Sequence, residues 1–311
     1  MTLTQLEYIV ALDTHRHFVQ ASEKCCVTQP TLSMQIQKLE EELGVKIFDR
    51  TKQPVIPTEI GVNMIAQARI ILLEANRFQQ IIHDQKDSMT GEIRIGIIPT
   101  LAPYLLPPLF KRMHEKYPLL HLIIKETITE EVISELKSNR LDCGLVVTPL
   151  HDSSIKEDVL FYEELFIYVS KKNSLYNKKY VLVTEIDPDQ LWLLEEGHCF
   201  RSQILNLCEL RKSSDFHFKY ETGNIETLKR MVDKSDGITI LPELAVKEFT
   251  KPQLKLVKRL KEPRPAREVS LVTHRDHIKT KLINTLKQEI LNIVPKPMQK
   301  LLNKKVVEIN Y

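Results

Sequence analysis

The sequence predicts a multidomain α+β fold, in which a small N-terminal winged helix-turn-helix and a long linker helix precede a C-terminal α/β domain. Three observations predict it. Short helical patterns fill residues 1–58, an apolar stripe at helical spacing follows to about residue 84, and short β-branched runs alternate with helices after residue 90. Such alternation is typical of α/β layers, and 311 residues are enough for two or more domains.

The helix that follows Thr28 is the most clearly delimited element of the first segment. Thr28 can cap its N-terminus, Pro30 fits its first turn, and Gly44 can end it. Its apolar positions recur at helical spacing and predict a core face of Leu32, Ile36, Leu39 and Leu43. Two short β-like pieces follow at 45–48 and 55–56, so the order of elements predicts a winged helix-turn-helix.

The opposite face of this helix is polar, and the turn between the β pieces is basic. Gln, Thr and Ser side chains can hydrogen-bond base edges in a major groove, while Arg and Lys can hold phosphates. The candidate DNA contacts of these types are Gln29, Thr31, Ser33, Arg50 and Lys52. The alternative is a helical bundle whose polar face only meets water, and 11 acidic against 9 basic residues in the first 90 positions favour it.

The segment from residue 59 to residue 90 is predicted to be a linker helix that also joins two copies of the chain. Its apolar residues step by three or four, at Ile60, Met64, Ala68, Ile71, Ala75, Phe78 and Ile82. This spacing is close to a heptad seam held for three heptads, which is typical of a helical dimer. The alternative is an amphipathic helix packed on its own chain.

Residues 91–300 are predicted to form the α/β domain, with mainly parallel strands. We predict strands at 91–98, 121–127, 142–147, 165–170, 180–184, 191–196, 216–221, 237–241 and 268–274 and helices at 103–117, 131–139, 226–234 and 277–291. Ligands of such sheets bind beyond the carboxyl ends of the strands. Thr100 and Thr129 follow the first two strands, so their hydroxyls can converge on one cleft, although a threonine there is as often a helix cap.

Several absent motifs narrow the function. The chain has 8 Gly and no G-x-G-x-x-G, G-x-x-x-x-G-K-[ST], H-E-x-x-H or G-x-S-x-G pattern. Nucleotide-dependent, metalloprotease and α/β-hydrolase functions therefore lack their signatures, and we expect neither an enzyme nor a cofactor. Cys25 and Cys26 are expected to serve packing, so no metal site is predicted.

The composition favours a cytoplasmic protein. The N-terminus lacks a basic leader, and no stretch approaches the ~18 continuous apolar residues of a membrane span. In a reducing compartment the 5 Cys are not expected to form a structural disulfide framework. The net charge of +3 hides a surplus in residues 251–311, which hold 15 basic and 5 acidic residues, and such a surplus is more typical of a solvated face.

Cys199 and Cys208 lie nine positions apart, with His198 and Arg201 beside the first. The thiolate is the species that reacts with peroxide, and an ordinary thiol is only a few per cent thiolate at neutral pH. The two flanking cations and the start of a helix near residue 199 can favour the charged form. Two interpretations remain open: a pair of buried core cysteines, or a reactive thiol with its partner.

The spacing of this pair has a geometric consequence. Ile204, Leu207 and Leu210 recur as in a helix, and nine helical residues separate the two cysteines by roughly 13 Å along the axis and place them on opposite faces. A disulfide requires Cα atoms within about 7 Å. If the segment is helical when reduced, any bond between these cysteines requires it to unwind.

With these residues in hand, the chain resembles the LysR-type transcriptional regulators over nearly its whole length. "ASEKCCVTQPTLSMQIQKLEEELGVKIFDR" is similar to the DNA-binding motif of the family, while "GIIPT", "RLDCGLVV" and "EEGHCFRSQ" with the second cysteine nine residues on are similar to its hydrogen-peroxide sensors. The resemblance implies a periplasmic-binding-protein-like effector domain of two subdomains, at about 91–163 with 268–300 and at about 164–267. Residues 301–311 are left as a basic tail.

The resemblance also implies the roles of individual residues. Cys199 would be the peroxide-reactive thiol and Cys208 its disulfide partner. The peroxide pocket would be lined by Thr100, Thr129, His198, Arg201 and His217. DNA would be contacted by Gln29, Pro30, Thr31 and Ser33 on the recognition helix and by Arg50 on the wing.

The implied function is a transcriptional switch for oxidative-stress genes, with hydrogen peroxide as the signal. The expected partners are promoter DNA, RNA polymerase and further copies of the chain in a dimer of dimers, and no membrane. The alternative within the family is a regulator that senses a small metabolite, with the cysteines incidental. Two features depart from the motif: Ser202 stands where an Asp is expected, and the tail "PKPMQKLLNKKVVEINY" has no counterpart.

Overall fold

The structure, a computed structural model, describes residues 1–83, 90–195, 198–208, 224–277 and 279–308, and within 73–83 it describes only some side chains. The chain divides into two compact units, Met1–Asp87 and Ser88–Tyr311. Each unit has an apolar core of its own. Among the described residues, no helix has the length and apolarity that a membrane crossing requires.

The first unit is a winged helix-turn-helix followed by a long helix, as predicted. Its elements are α1 (Leu3–His15), α2 (Phe18–Lys24), α3 (Gln29–Leu43), β1 (Phe48–Asp49), β2 (Ile56–Pro57) and α4 (Glu59–His83). The two strands pair antiparallel to form the wing.

Helix α3 begins and ends where its capping residues predict. Thr28 Oγ1 accepts a hydrogen bond from the Thr31 amide, and Gly44 ends the helix with a left-handed φ of 69°. The core face holds Leu32, Ile36 and Leu39, which are fully buried. The inclusion of Leu43 in that face was wrong, because it lies in the last turn, beyond the core, and is 38% exposed.

A buried carboxylate ties the wing to α3. Glu40 Oε1 accepts hydrogen bonds from the backbone amides of Ile47 (2.8 Å) and Phe48 (3.2 Å). Glu40 Oε2 pairs with Arg50 at 3.3 Å and with Lys46 at 3.4 Å. Because the Glu40 side chain is fully buried, these contacts fix the start of the wing relative to α3.

The apolar stripe of α4 is divided between two environments. Ala68 is buried in the core of the first unit, where α4 packs on α1. Ile60 and Phe78 remain 48% and 72% exposed in this chain. The side chain of Ile82 lies outside the described residues. The stripe therefore serves in part to pack α4 on its own chain, and the exposed positions are available to a second copy.

The second unit is an α/β structure. Its helices are α5 (Ala102–Lys116), α6 (Thr129–Lys137), α7 (Cys199–Leu207), α8 (Ile225–Lys234), α9 (Glu243–Lys247), α10 (Lys251–Leu254) and α11 (Thr280–Ile293). Its strands are β3 (Gly91–Ile97), β4 (Leu120–Glu126), β5 (Cys143–Thr148), β6 (Ile155–Val169), β7 (Tyr180–Val181), β8 (Leu191–Trp192), β9 (Ile238–Pro242), β10 (Val257–Leu260), β11 (Arg264–His274) and β12 (Lys304–Val306).

The strands form a mixed sheet in the order β4–β3–β5–β11–β6–β10–β7, with β12 beside β11 and β9 beside β6. The expectation of mainly parallel strands holds for β3 with β4 and β5 but fails for the long strands of the sheet. The long strands β6 and β11 run antiparallel to each other, and β11 is also antiparallel to β5. Strand β6 pairs with β11 in its first part and with β9 and β10 in its last part, so it joins the two halves of the unit.

Several strand predictions differ from the structure. Strands β10 and β12 were not predicted, and the predicted strands at 180–184 and 191–196 keep only two paired residues each, in β7 and β8. The strand predicted at 216–221 lies outside the described residues. Strand β12 pairs with a strand some forty positions earlier in the chain, a partner that local periodicity does not reveal.

Candidate functional site

Helix α7 begins at Cys199 and ends next to Cys208, so it spans the two cysteines that lie nine positions apart. Cys199 is its first residue and His198 its N-cap, and Cys208 is its C-cap. Phe200 and Ile204 are buried and hold the helix against the core, which accounts for the helical spacing in the sequence. All five cysteines lie among the described residues, and each is a free thiol.

The two thiols are too far apart to bond in this conformation. A helical rise of ~1.5 Å per residue over nine positions separates them by roughly 13 Å along the axis of α7. That exceeds the about 7 Å between Cα atoms that a disulfide tolerates. The helix α7 confirms the helical prediction over Cys199–Leu207, while Leu210 lies outside the described residues. This helix must lose its helical form before Cys199 and Cys208 can join.

Cys199 is buried, with 8% of its surface exposed. Burial is the largest influence on the thiol and raises its pKa, and it outweighs the groups that lower the pKa: the Thr129 hydroxyl, the Arg267 guanidinium and the backbone amides of Phe200 and of Cys199 itself. A thiol in such a place is mostly protonated at neutral pH, but it has a cation, a hydroxyl and helix amides ready for a negative charge.

The cation beside the thiol is Arg267, which no predicted motif contains. It lies on β11 and is 0% exposed. Its Nε donates to Glu163 Oε2 at 2.8 Å, its Nη1 to Thr100 Oγ1 at 2.7 Å, and its Nη2 to the Thr100 carbonyl at 3.1 Å. Its guanidinium also lies over the Phe200 ring, 5.0 Å from the centroid. These contacts hold the charge in one position between α7 and the end of β3.

The register of the sheet explains this placement. Arg267 on β11 stands opposite Glu163 on β6, and both side chains are fully buried. Glu163 is fixed in turn by the Leu244 amide, which donates to its Oε1 at 2.7 Å. The signal in the sequence would have been an arginine inside an apolar strand, because a buried charge in such a strand requires a partner.

Thr100 and Thr129 occupy the positions that the sequence analysis expected. Thr100 follows β3, is 1% exposed and accepts from Arg267. Thr129 is the first residue of α6, and its buried Oγ1 makes no hydrogen bond of normal geometry to any described residue. A buried hydroxyl that lies beside a thiol and makes no hydrogen bond of normal geometry to the described residues is a place where a small polar molecule can bind.

His198 and Arg201 are directed to other partners. His198 is buried, with Nε2 3.4 Å from Glu195 Oε1. Arg201 Nη1 donates to the Leu194 carbonyl at 2.8 Å. Neither is among the groups that shift the pKa of Cys199, so the positive charge expected from them comes instead from Arg267. His217 lies outside the described residues.

Cys208 is half-buried at the other end of α7. Burial raises the pKa of its thiol to about 12. Among the described residues no group that favours the thiolate acts on Cys208, so of the two cysteines Cys199 is the one with an environment suited to reaction.

The candidate DNA-binding residues lie at the N-terminal end of α3 and on the wing. Gln29 and Pro30 are exposed, and Thr31 and Ser33 are half-exposed. Arg50 donates to Ser33 Oγ at 3.1 Å. Arg50 is therefore held in place by Ser33 and Glu40, both on α3.

Lys52 is the freer of the two candidate cations on the wing. It is exposed in the turn between β1 and β2, whereas Arg50 is 32% exposed in its side chain and paired with Glu40. Exposed lysines that hold phosphates act as point charges without base preference.

The described residues hold no group of three or more His, Cys, Asp and Glu side chains that could bind a metal ion. The adjacent cysteines of the first unit differ in exposure. Cys25 is half-buried against the core of that unit, and Cys26 is exposed.

The chain matches two family models. Residues 3–62 match the bacterial regulatory helix-turn-helix protein of the lysR family, and residues 86–293 match the LysR substrate binding domain.

Known proteins are similar over most of the chain. The chain is 36% identical over 273 residues to the DNA-binding transcriptional dual regulator OxyR of Escherichia coli, with 88% of this chain and 89% of that protein covered. It is 34% identical over 273 residues to the hydrogen peroxide-inducible genes activator of Haemophilus influenzae, with 88% and 90% covered. A full-length OxyR variant from Pseudomonas aeruginosa superimposes with a TM-score of 0.80, at 31% identity and with 93% and 94% covered.

Proposed function

This chain belongs to the LysR family of bacterial transcriptional regulators, and on that premise we propose that it is a peroxide-responsive regulator of the OxyR type. One observation carries the proposal: a helix whose first residue is the buried thiol of Cys199, beside Arg267 and the Thr129 hydroxyl, and whose C-cap is Cys208. Such an arrangement couples the oxidation of the thiols to the conformation of the helix between them.

The proposed chemistry has two steps that balance. The Cys199 sulfur attacks one oxygen of hydrogen peroxide, the O–O bond breaks, and the thiol proton leaves with the other oxygen as water, which gives Cys199 sulfenic acid. The Cys208 sulfur then displaces the sulfenic hydroxyl, which takes up the Cys208 proton and leaves as a second water. Two thiols are oxidised by two electrons and one peroxide is reduced.

The described residues supply what the first step needs. Arg267 provides a fixed positive charge for the developing thiolate, in a site with little water to screen it. The Thr129 hydroxyl offers a donor and an acceptor to a peroxide molecule, and Thr100 is bound to the same guanidinium. We assign Thr100, Thr129, His198 and Arg201 to the wall of this site, with His217 as a further predicted member.

The second step changes the structure. The disulfide requires α7 to unwind, because the helix holds the two sulfurs apart. A local change of this kind at the junction of the two halves of the effector domain is suited to alter how copies of the chain pack together.

The remaining assignments follow from family membership. Residues 1–58 are assigned to the binding of promoter DNA, 59–90 to the joining of copies and 91–300 to the sensing of peroxide. The predicted tail at 301–311 has no counterpart in the family, and its residues 304–306 form strand β12 beside β11. We expect a dimer of dimers that contacts RNA polymerase in the cytoplasm and has no catalytic turnover.

The direct test of this function is to map the oxidised thiols. Equimolar peroxide should lower the intact mass by about 2 Da, and peptide mapping should link Cys199 to Cys208. Sulfenic or sulfinic acid at Cys199 without a link would disprove the second step. Steady consumption of peroxide in the presence of a reductant would instead indicate a peroxidase.

The wing offers a second prediction. Lys52→Ala should weaken binding to all DNA sequences alike and reduce the slope of log affinity against log salt by about 0.9, the value for one phosphate. Fluorescence anisotropy with a promoter fragment at several salt concentrations measures it. Lys171→Ala, which removes an exposed lysine of the second unit, is the matched control. An unchanged slope in Lys52→Ala would show that this side chain holds no phosphate.

A further inference from the structure

The C-terminal segment 304–308 is built into the second unit as an added strand. Strand β12 pairs parallel to β11, with Lys304 opposite Arg264 and Val306 opposite Ala266. The Val307 amide continues the pairing by donating to the Ala266 carbonyl at 2.9 Å. The segment thus lies along β11 up to the residue that precedes Arg267.

A buried lysine anchors the start of this segment. Lys304 Nζ donates to the Tyr162 carbonyl at 3.0 Å and lies 3.6 Å from Glu243 Oε2. Its side chain is 8% exposed, so solvent screens these contacts little. The segment is fixed by more than the backbone bonds of a short edge strand.

The end of the segment holds α7. Gln203 Nε2 donates to the Val307 carbonyl at 3.0 Å, and Asn206 Nδ2 donates to the Glu308 carbonyl at 3.1 Å. The two side chains are three positions apart and therefore lie on one face of the helix. Gln203 is fully buried, and its Oε1 has no hydrogen-bond partner among the described residues, so its amide group is kept in place by this one bond.

Both bonds belong to the part of the chain that must change. Gln203 and Asn206 lie between Cys199 and Cys208, inside the helix that has to unwind for a disulfide. When the helix unwinds, the two amides leave the carbonyls of Val307 and Glu308. We therefore expect these bonds to stabilise the reduced form and to be broken in the oxidised form.

We propose that residues 304–308 form a C-terminal strap and that Gln203 and Asn206 are positioning residues that clamp α7 to it. The strap opposes formation of the disulfide and so sets the oxidant level at which the switch operates. This inference rests on the proposed function, because the disulfide between Cys199 and Cys208 is the event it regulates.

The test measures the thiol–disulfide equilibrium of the full chain in glutathione buffers, where glutathione disulfide takes the two electrons and two protons of the thiol pair. The double variant Gln203→Met/Asn206→Leu keeps side-chain volume and removes both donors, and a second variant ends at Asn303. Each should favour the disulfide by about tenfold, which corresponds to a midpoint about 30 mV more negative. Ser202→Ala, on α7, and Lys305→Ala, on the exposed side of β12, are controls and should leave the midpoint unchanged.

Hydrogen exchange on the reduced protein separates this inference from the proposed function. The amides of α7 should exchange faster in both variants than in the unaltered protein, whether or not a disulfide can form. Equal amide exchange rates and equal redox midpoints in the variants and the parent would show that residues 304–308 do not restrain α7. The parent protein could form no disulfide while the α7 amides of the variants exchange faster. That result would support the contact between the strap and α7, but it would disprove both its regulatory role and the proposed function.

Discussion

Cys199→Ser is expected to abolish the transcriptional response to peroxide while leaving DNA binding and folding intact. Serine is close in size to cysteine, and the site is a small buried one at the start of α7, so the structure should hold. A hydroxyl does not form a sulfenic acid, and the first step cannot occur. The measurement is reporter transcription from a target promoter before and after peroxide.

Cys208→Ser distinguishes the two steps of the reaction. Cys199 should still be oxidised to sulfenic acid, detectable with a sulfenic-acid-specific label, but no mass loss from a link should follow. Cys143→Ser, at a buried cysteine that lies beside Asp142 and is not among the groups acting on the Cys199 thiol, is the matched control and should respond as the parent does. A full peroxide response in Cys199→Ser would instead favour a regulator that senses a small metabolite.

Arg267→Ala is expected to cause the largest loss of stability and to slow oxidation of Cys199. Removal of the guanidinium leaves the Glu163 carboxylate buried and unpaired, which costs about 3–5 kcal/mol in free energy of unfolding. It also removes a cause that lowers the pKa of Cys199, so the pKa should rise further and the thiolate become scarcer at neutral pH. Denaturant unfolding and the rate of reaction with peroxide measure the two effects.

A double variant separates stability from reactivity. Arg267→Met/Glu163→Gln removes both charges and keeps an acceptor for the Leu244 amide, so most of the lost stability should return. Its reaction with peroxide should remain at least about tenfold slower, and the pH profile of Cys199 alkylation should lie at higher pH than in the parent. Arg264→Met on the same strand, whose arginine pairs with Glu164, is the control. If the double variant reacts with peroxide as fast as the parent, Arg267 does not contribute to the reaction of Cys199.

The elements governed by neighbouring residues were predictable. Thr28 and Gly44 delimit α3 because capping depends on side chains and backbone angles within one turn. The helix between Cys199 and Cys208, and the need to unwind it, followed from apolar spacing and the constant rise of a helix. Thr100 and Thr129 could be placed at one end of two strands by the same local logic.

The strand order was less predictable. Parallel and antiparallel partners present similar apolar runs, so the mixed sheet around β6 and β11 could not be distinguished from a parallel one. Strands β10 and β12 are short, with little apolar pattern, and depend on pairing with distant residues. Leu43 fits the helical period of α3 but lies beyond the core that it would need to reach.

By itself the sequence determined the order of domains, the helix with a cysteine at each end and the type of chemistry those cysteines offer, because each depends on residues close together in the chain. Tertiary structure alone decided which charge lies beside Cys199. Arg267 reaches it through the pairing of β11 with β6, and burial, which the sequence does not measure, sets the direction of the pKa shift. A second distant pairing, that of β12 with β11, brings the C-terminal strap onto α7, since a strand finds its partner by sheet geometry and not by proximity in sequence.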